Sequence, residues 1–163
     1  MDDMIAADVG VRQLQARFID AVWRQDADDF ANCWTADGVW KIAGMELRGR
    51  DAIRATCNKL LGRCEKIQLI LMPALLEVSG KTAIGRHHVI EYAKMLDGSG
   101  WMTIGVYHDR LAGEEGRWRF AHRHWAMQYR GPLDLSASFV AGQDFGPFPN
   151  MPGADAPTYV RPA

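Results

Sequence analysis

KTAIGRHHVIEYAKMLDGSGWMTIGVYHDRLAGEEGRWRFAHRHWAMQY, residues 81–129, is the stretch that decides the fold. Two glycine-bearing connectors, Asp97-Gly98-Ser99-Gly100 and Gly113-Glu114-Glu115-Gly116, divide it into β-rich runs at Thr82–Leu96, Trp101–Ala112 and Arg117–Tyr129. Connectors this short force antiparallel hairpins. Ser79-Gly80-Lys81 joins a fourth run, Lys66–Val78, to the front of the same meander.

Ahead of the meander the periodicity changes. Val11, Leu14, Phe18, Ile19 and Val22 recur at steps of three and four, one stripe of an amphipathic helix. Asp26 is placed to cap a short second helix carrying Phe30, Cys33 and Trp34. A turn at Asp37-Gly38 leads into a strand at Val39–Ile42, with a partner through Glu46 and Leu47. A third helix starts near Asp51, buries Ile53, Cys57 and Leu60 among others, and stops at Gly62. Helices followed by a meander is an α+β order, not βαβ.

Composition bounds the rest. A chain of 163 residues, 48% of them hydrophobic, is one domain with material for a full core. Its formal net charge of −1 supplies no broad field, and no lysine or arginine cluster is visible along the sequence, so nucleic acid is not an expected partner. The acidic start Met1-Asp2-Asp3-Met4 and the lack of a long apolar run argue against a leader or a membrane span, and the expected location is the cytoplasm. Cys33, Cys57 and Cys64 lack the paired spacing of a zinc knuckle or a redox motif and read as buried thiols. Six of the seven prolines lie in the last 32 residues, so the tail from Gly131 on is irregular and either packs as a strap or hangs free. The expected division is a single α+β domain over 1–135 and an irregular tail over 136–163.

Two segments carry a resemblance. FANCWTADGVWKIAGMELRGRDAI, residues 30–53, resembles the "F…D…W…G…G…I" signature of the SnoaL-like branch of the nuclear transport factor 2-like superfamily, and GVYHDRLAGEEGRWRFAHR, residues 105–123, resembles its final hairpin. The resemblance implies a cone-shaped, curved antiparallel sheet wrapped around the N-terminal helices, one apolar pocket, and often a homodimer through the outer sheet face. The branch includes scytalone dehydratase, a hexachlorocyclohexane dehydrochlorinase, polyketide cyclases and the small subunits of ring-hydroxylating dioxygenases, so fold alone does not give function. Its eliminating members use an Asp at the end of the first helix to orient a His on the first long strand. Those positions hold Trp23 and Gln68 here, and the strand Asp of ketosteroid isomerase corresponds to Ile42. Asp26, three residues past Trp23, is either a substitute or a helix cap.

Strand alternation supplies candidates independently, because residues two apart share a face. Gly85, His87, Val89, Glu91 and Ala93 share one face, and Trp101, Thr103, Gly105, Tyr107 and Asp109 another. The resemblance makes these cavity faces, joined by Arg123 and Trp125. His87, Glu91 and Tyr107 are the candidate catalytic residues, and Trp23, Trp40, Gln68, Arg123 and Trp125 the candidate substrate contacts. Each has a second reading. His87 is either an imidazole base or a packed histidine, and Glu91 is either an ion pair with Arg123 or an acid of raised pKa. Tyr107 either donates to a developing oxyanion or fills the cone. Gln68, the one polar side chain in Ile67–Met72, either meets the backbone or reads a ligand. Asp109 reads as a surface or salt-bridge residue.

His108, His122 and His124 have the spacing of zinc ligands, but parity sends them to the outer face, and no metal and no cofactor are expected. Only a bulge in the Gly113–Gly116 turn would bring them inside. In the tail, Leu133, Leu135, Phe139, Phe145 and Phe148 form either a lid on the pocket or a drape over a partner. The functional expectation is a cofactor-independent lyase or isomerase acting on a small hydrophobic, oxygenated aromatic or polyketide-like compound. The alternative is a non-catalytic binding module or assembly subunit similar to the dioxygenase small subunit.

Overall fold

The computed structural model describes residues 2–162; Met1, where the acidic N-terminal reading begins, and Ala163 lie outside them. Three helices, α1 (Asp2–Arg24), α2 (Ala27–Ala31) and α3 (Arg50–Leu61), pack with seven strands: β1 (Trp34–Ile42), β2 (Met45–Arg48), β3 (Cys64–Leu71), β4 (Leu75–Ser79), β5 (Thr82–Met95), β6 (Gly100–Glu114) and β7 (Arg117–Gly131). They form one curved sheet in the order β2-β1-β7-β6-β5-β3, with β4 also paired to β5. All pairings are antiparallel except β1 with β7.

The stripe on α1 does what its spacing requires. Val11, Leu14, Phe18 and Val22 are buried against the sheet with Phe30, Trp34 and Phe120. The Phe18 ring lies 5.1 to 6.0 Å from the rings of Phe30, Phe120, Trp34 and Tyr107, the tilted and edge-on contacts that aromatic quadrupoles prefer. Asp26 caps α2, its carboxylate accepting from the Asp29 N–H at 2.9 Å. Cys33, Cys57 and Cys64 are free and buried.

Three local expectations change. The fourth run is broken into β3 and β4, because Pro73 has no N–H to donate to the ladder. Both halves still lie along β5, β3 from Leu71↔Val89 to Cys64↔Met95 and β4 from Leu75↔Arg86 to Ser79↔Thr82. Asp37-Gly38 is not a turn before a strand but an irregularity within the longer β1, where the register to β7 shifts between Trp34 and Val39. A Cβ on Gly38 would lie 2.8 Å from the Trp34 side chain and 3.0 Å from the Phe120 carbonyl, so only glycine lets the strand pass. Third, α2 ends at Ala31, so Cys33 lies beyond it and Trp34 opens β1; α3 starts at Arg50, beside the expected Asp51, after Gly49 with its positive φ of 79°.

The tail is a strap over its own sheet, not a lid on the cavity. The Val140 N–H donates to the Gln128 carbonyl (2.7 Å), Arg86 to the Gly146 carbonyl (2.7 Å), and Lys41 Nζ to the carbonyls of Ala156 (2.6 Å) and Ala154 (3.0 Å). Phe139 packs on Tyr129, and Phe145 on His108 and His124. Leu133 and Leu135 point to solvent. Met102 and Val106, on the outer face assigned to a dimer partner, are 6% and 3% exposed within the single chain. The proline-rich tail folds back along this face, with Phe145 on His108 and His124 and Phe139 on Tyr129.

Candidate active site

The inner face of the sheet carries its polar groups in two tiers, and register sets both. Asp109 pairs across the hairpin with Arg123; His87 pairs with Tyr107, which pairs with Trp125; Glu91 pairs with Thr103, which pairs with Arg130. Two bulges make this possible. The β6–β7 register slips between Arg110 and Leu111 and again between Ile104 and Gly105, leaving Ala121 and Gln128 unpaired on β7. Each extra residue flips the face. Phe120, then Arg123, Trp125 and Met127, and then Arg130 can thereby all point inward.

The inner tier is closed. Arg123 is fully buried; it donates from Nε to Asp109 Oδ1 at 2.8 Å and from Nη2 to Asp109 Oδ2 at 2.9 Å. Its guanidinium carbon sits 3.7 Å over the Phe120 ring, 3.8 Å over Tyr107 and 4.5 Å over Phe18, so aromatic faces replace the water it lost. His87 is 1% exposed, with Nε2 2.6 Å from Arg123 Nη2 and Nδ1 3.3 Å from the Gln15 amide. Burial pushes the His87 imidazole down to about 4, the Asp109 carboxylate pulling the other way.

The outer tier lines a cavity of about 220 Å³. Its walls are apolar and aromatic, with Phe18, Trp40, Ile67, Val89, Trp101, Tyr107, Trp125 and Met127. Its polar groups are few: Glu91, Thr103, Arg63 and Arg130. Burial raises the Glu91 carboxyl above the usual carboxylate range, opposed by the Arg130 guanidinium. Burial likewise lowers Arg130, whose guanidinium stacks 4.1 Å above the Trp101 ring. The Tyr107 phenol is raised by burial. Trp40 Nε1, Trp101 Nε1 and Arg130 Nε are buried donors without a partner among the described residues.

Of the residues expected at a site, Glu91, Tyr107, Trp40 and Trp125 come together around this cavity. His87 and Arg123 lie behind its Phe18 and Tyr107 wall, and Arg123 pairs with Asp109 rather than Glu91. Trp23 is corrected to the surface, 49% exposed with Lys66 Nζ 5.5 Å from its ring. Gln68 is corrected as well. Ile67 and Leu69 take the inner face of β3, leaving Gln68 outside with its amide on the Leu69 carbonyl at 3.0 Å. Arg130 was missing from the candidates because its inward direction depends on the bulge at Gln128. His122 and His124 remain on the outer face, and among the described residues no group of three or more His, Cys, Asp or Glu is placed to hold a metal ion. No described helix is long and apolar enough to cross a membrane.

Comparison with known proteins places this geometry. The SnoaL-like domain family matches residues 3–124. The fold is similar to that of a variant of Rv3472, a protein of unknown function from Mycobacterium tuberculosis, at 28% identity and a TM-score of 0.73 over 84% of this chain and 80% of that one. It is similar to the hexachlorocyclohexane dehydrochlorinase LinA-type3 from Novosphingobium barchaimii LL02, at 20% identity and a TM-score of 0.72 over 86% and 98%. A provisionally assigned scytalone dehydratase from Novosphingobium aromaticivorans DSM 12444 has 16% identity and a TM-score of 0.76 over 87% and 98%. No curated protein matches the chain.

Proposed function

The chain belongs to the SnoaL-like domain family, and on that premise we propose that it binds a small hydrophobic, oxygenated compound in the Glu91 cavity and abstracts a proton from it without a cofactor, as a lyase or isomerase. One observation carries this reading: a single carboxylate of raised pKa stands in an apolar cavity whose unpaired polar atoms, among the described residues, are the N–H donors of Trp40, Trp101 and Arg130 and the Thr103 hydroxyl. Unpaired donors call for acceptor oxygens on the ligand. A carboxylate moved toward neutrality is a better match to a carbon acid than an ordinary one.

In this mechanism Trp40 and Trp101 donate to ligand oxygens, and Glu91 takes the proton next to a carbonyl or leaving group. Arg130 and Tyr107 face the negative charge that develops on oxygen. Arg123 and His87 act only by holding the Tyr107 wall. The elimination reactions named for two of the similar structures start with the same kind of step, which supports the class but not a substrate.

A binding role without turnover is the second reading. It is favoured by the lining of the cavity, which among the described residues includes no histidine. One experiment separates the two. Aromatic and polyketide-like ketones that native mass spectrometry shows bound are incubated with the protein in D₂O, and deuterium entry beside the carbonyl is followed by NMR. Exchange that disappears in Glu91→Gln while binding persists supports the base. Bound ketones that never exchange support the binding role.

A further inference from the structure

The sequence shows no basic cluster, yet the fold builds one. Arg17 and Arg24 from α1, Arg50 from the start of α3, and Arg117 and Arg119 from the start of β7 line a second cavity of about 370 Å³ that shares no lining residue with the first. Only two carboxylates line it, Asp20 and Asp29. Both are taken up by Arg24, at 2.8 and 2.6 Å.

The other four guanidiniums have no such neutralisation. Among the described residues Arg17, Arg50 and Arg117 have no carboxylate within 4.0 Å, and the nearest to Arg119 are Glu114 and Glu115 at 3.8 and 3.9 Å, beyond hydrogen-bond range. Two of the four are held in place by backbone rather than by acid. Arg50 Nε donates to the Trp34 carbonyl at 2.9 Å, and Arg119 Nη1 to the Asn32 carbonyl at 2.6 Å. Their remaining N–H groups are fixed in direction but have no hydrogen-bond acceptor among the described residues. Like charges gathered in a concavity repel one another unless an anion sits among them.

We propose that this cavity binds the phosphate or pyrophosphate group of a small molecule. A single carboxylate would leave most of the four charges uncompensated, whereas a phosphate carries up to two charges and several oxygens that match guanidinium forks. The volume falls within the usual range for ligand sites, about 300–1,000 Å³. Trp118 forms one wall and offers a flat apolar surface for the ring of a carrier. The site is independent of the Glu91 cavity and stands whether or not that cavity turns a substrate over.

Calorimetric titration with sodium pyrophosphate in a phosphate-free, low-salt buffer tests it. Binding is expected, and it weakens as salt is added. The Arg17→Glu/Arg117→Glu double variant is expected to weaken it by about a hundredfold or more, since each lost charge-assisted pair is worth roughly tenfold. Neither side chain makes a hydrogen bond within the described residues, so the melting temperature and ligand occupancy of the first cavity stay unchanged. Arg12→Glu is the control for a mere field effect: Arg12 lies on the same helix, paired with Asp8 at 2.8 Å, and does not line the cavity. Equal weakening by Arg12→Glu, or no heat at millimolar pyrophosphate, overturns the site. A nucleoside diphosphate that binds tighter than pyrophosphate, and loses that advantage in Trp118→Ala, supports a carried phosphate. Equal binding of the two supports the site with a free anion as its ligand.

Discussion

Arg123 Nη2 lies 2.6 Å from His87 Nε2, and that distance decides what His87 can do. A guanidinium does not give up its proton, so Nε2 is the acceptor and the imidazole is neutral with its proton on Nδ1. Nδ1 faces the Gln15 amide, whose Nε2 is placed 3.3 Å away; turned over, as a proton on Nδ1 requires, the amide presents its oxygen as the acceptor. Both ring nitrogens are therefore engaged inside the protein, and His87 is not a base for a ligand. His87→Ala leaves Gln15 and Arg123 each short of a partner and opens a void. The expected loss is about 2–4 kcal/mol in urea unfolding, with proton exchange in the folded variant retained. Abolished exchange in a folded His87→Ala protein would return the base to His87.

Glu91 has the opposite linkage. Its folded pKa is raised, so the neutral acid is favoured in the native state, and the stability it contributes is present below the ordinary carboxyl pKa and lost as pH rises through the folded value. Glu91→Gln keeps the shape and removes the ionised form. Its melting temperature should match the parent near pH 4 and exceed it at pH 8, while proton abstraction is lost. In a chain of this length a gain of about 1 kcal/mol moves the midpoint by roughly 2–4 °C, which calorimetry resolves. A variant that is less stable at pH 8 than at pH 4, relative to the parent, means that the attraction of Arg130 outweighs burial.

The faces of β5 and β6 were legible from alternation, since His87, Glu91, Tyr107 and Asp109 all lie on the inner side as a two-residue period requires. The partners across β7 were less so. A simple hairpin from Glu114↔Arg117 would set Asp109 opposite His122; the unpaired Ala121 moves it opposite Arg123 and settles the surface-or-salt-bridge reading as a buried ion pair. Gln68 misled for a different reason. The run Ile67–Met72 looks buried on both faces, but Ile70 and Met72 are 46% and 39% exposed, so its polar member had a free route to solvent. The arginine cavity is invisible along the chain because its residues come from three helices' worth of sequence and the far hairpin, and only folding adds them up.

Gly105 is the residue that lets Trp125 into the cavity wall. A Cβ at this position would lie 2.6 Å from Trp125 Cζ2 and 2.8 Å from the Ala126 carbonyl. Gly105→Ala must push the indole toward the ligand space, at about 1–3 kcal/mol for overpacking. The expected result is a lower melting temperature together with weakened binding of bulky ligands, and Trp125→Phe in the same chain should recover part of both. If Gly105→Ala binds the same ligands as the parent, Trp125 does not shape the cavity.

Phe145 closes the strap over two histidines, its ring 5.2 Å from that of His108 and 5.5 Å from that of His124. Burial pushes both imidazoles down to about 4. The charged groups around them act in both directions: Asp109 and Asp144 raise His108 while Arg86 and His88 lower it, and His108, Lys41 and His122 lower His124. A depressed histidine contributes stability that is present above the ordinary value of about 6.5 and lost as pH falls toward 4. Acid should therefore loosen the strap as pH falls toward 4, over the same range in which protonation of the buried His87 weakens the inner tier. Phe145→Ala admits water to both rings. Their titrations, followed by NMR, are expected to move up toward 6.5, and protease is expected to cut the tail faster at pH 7, with the Glu91 cavity still binding its ligand. Imidazoles that still titrate near 4 in Phe145→Ala would show that neighbouring charge, and not the cover of the strap, holds them neutral.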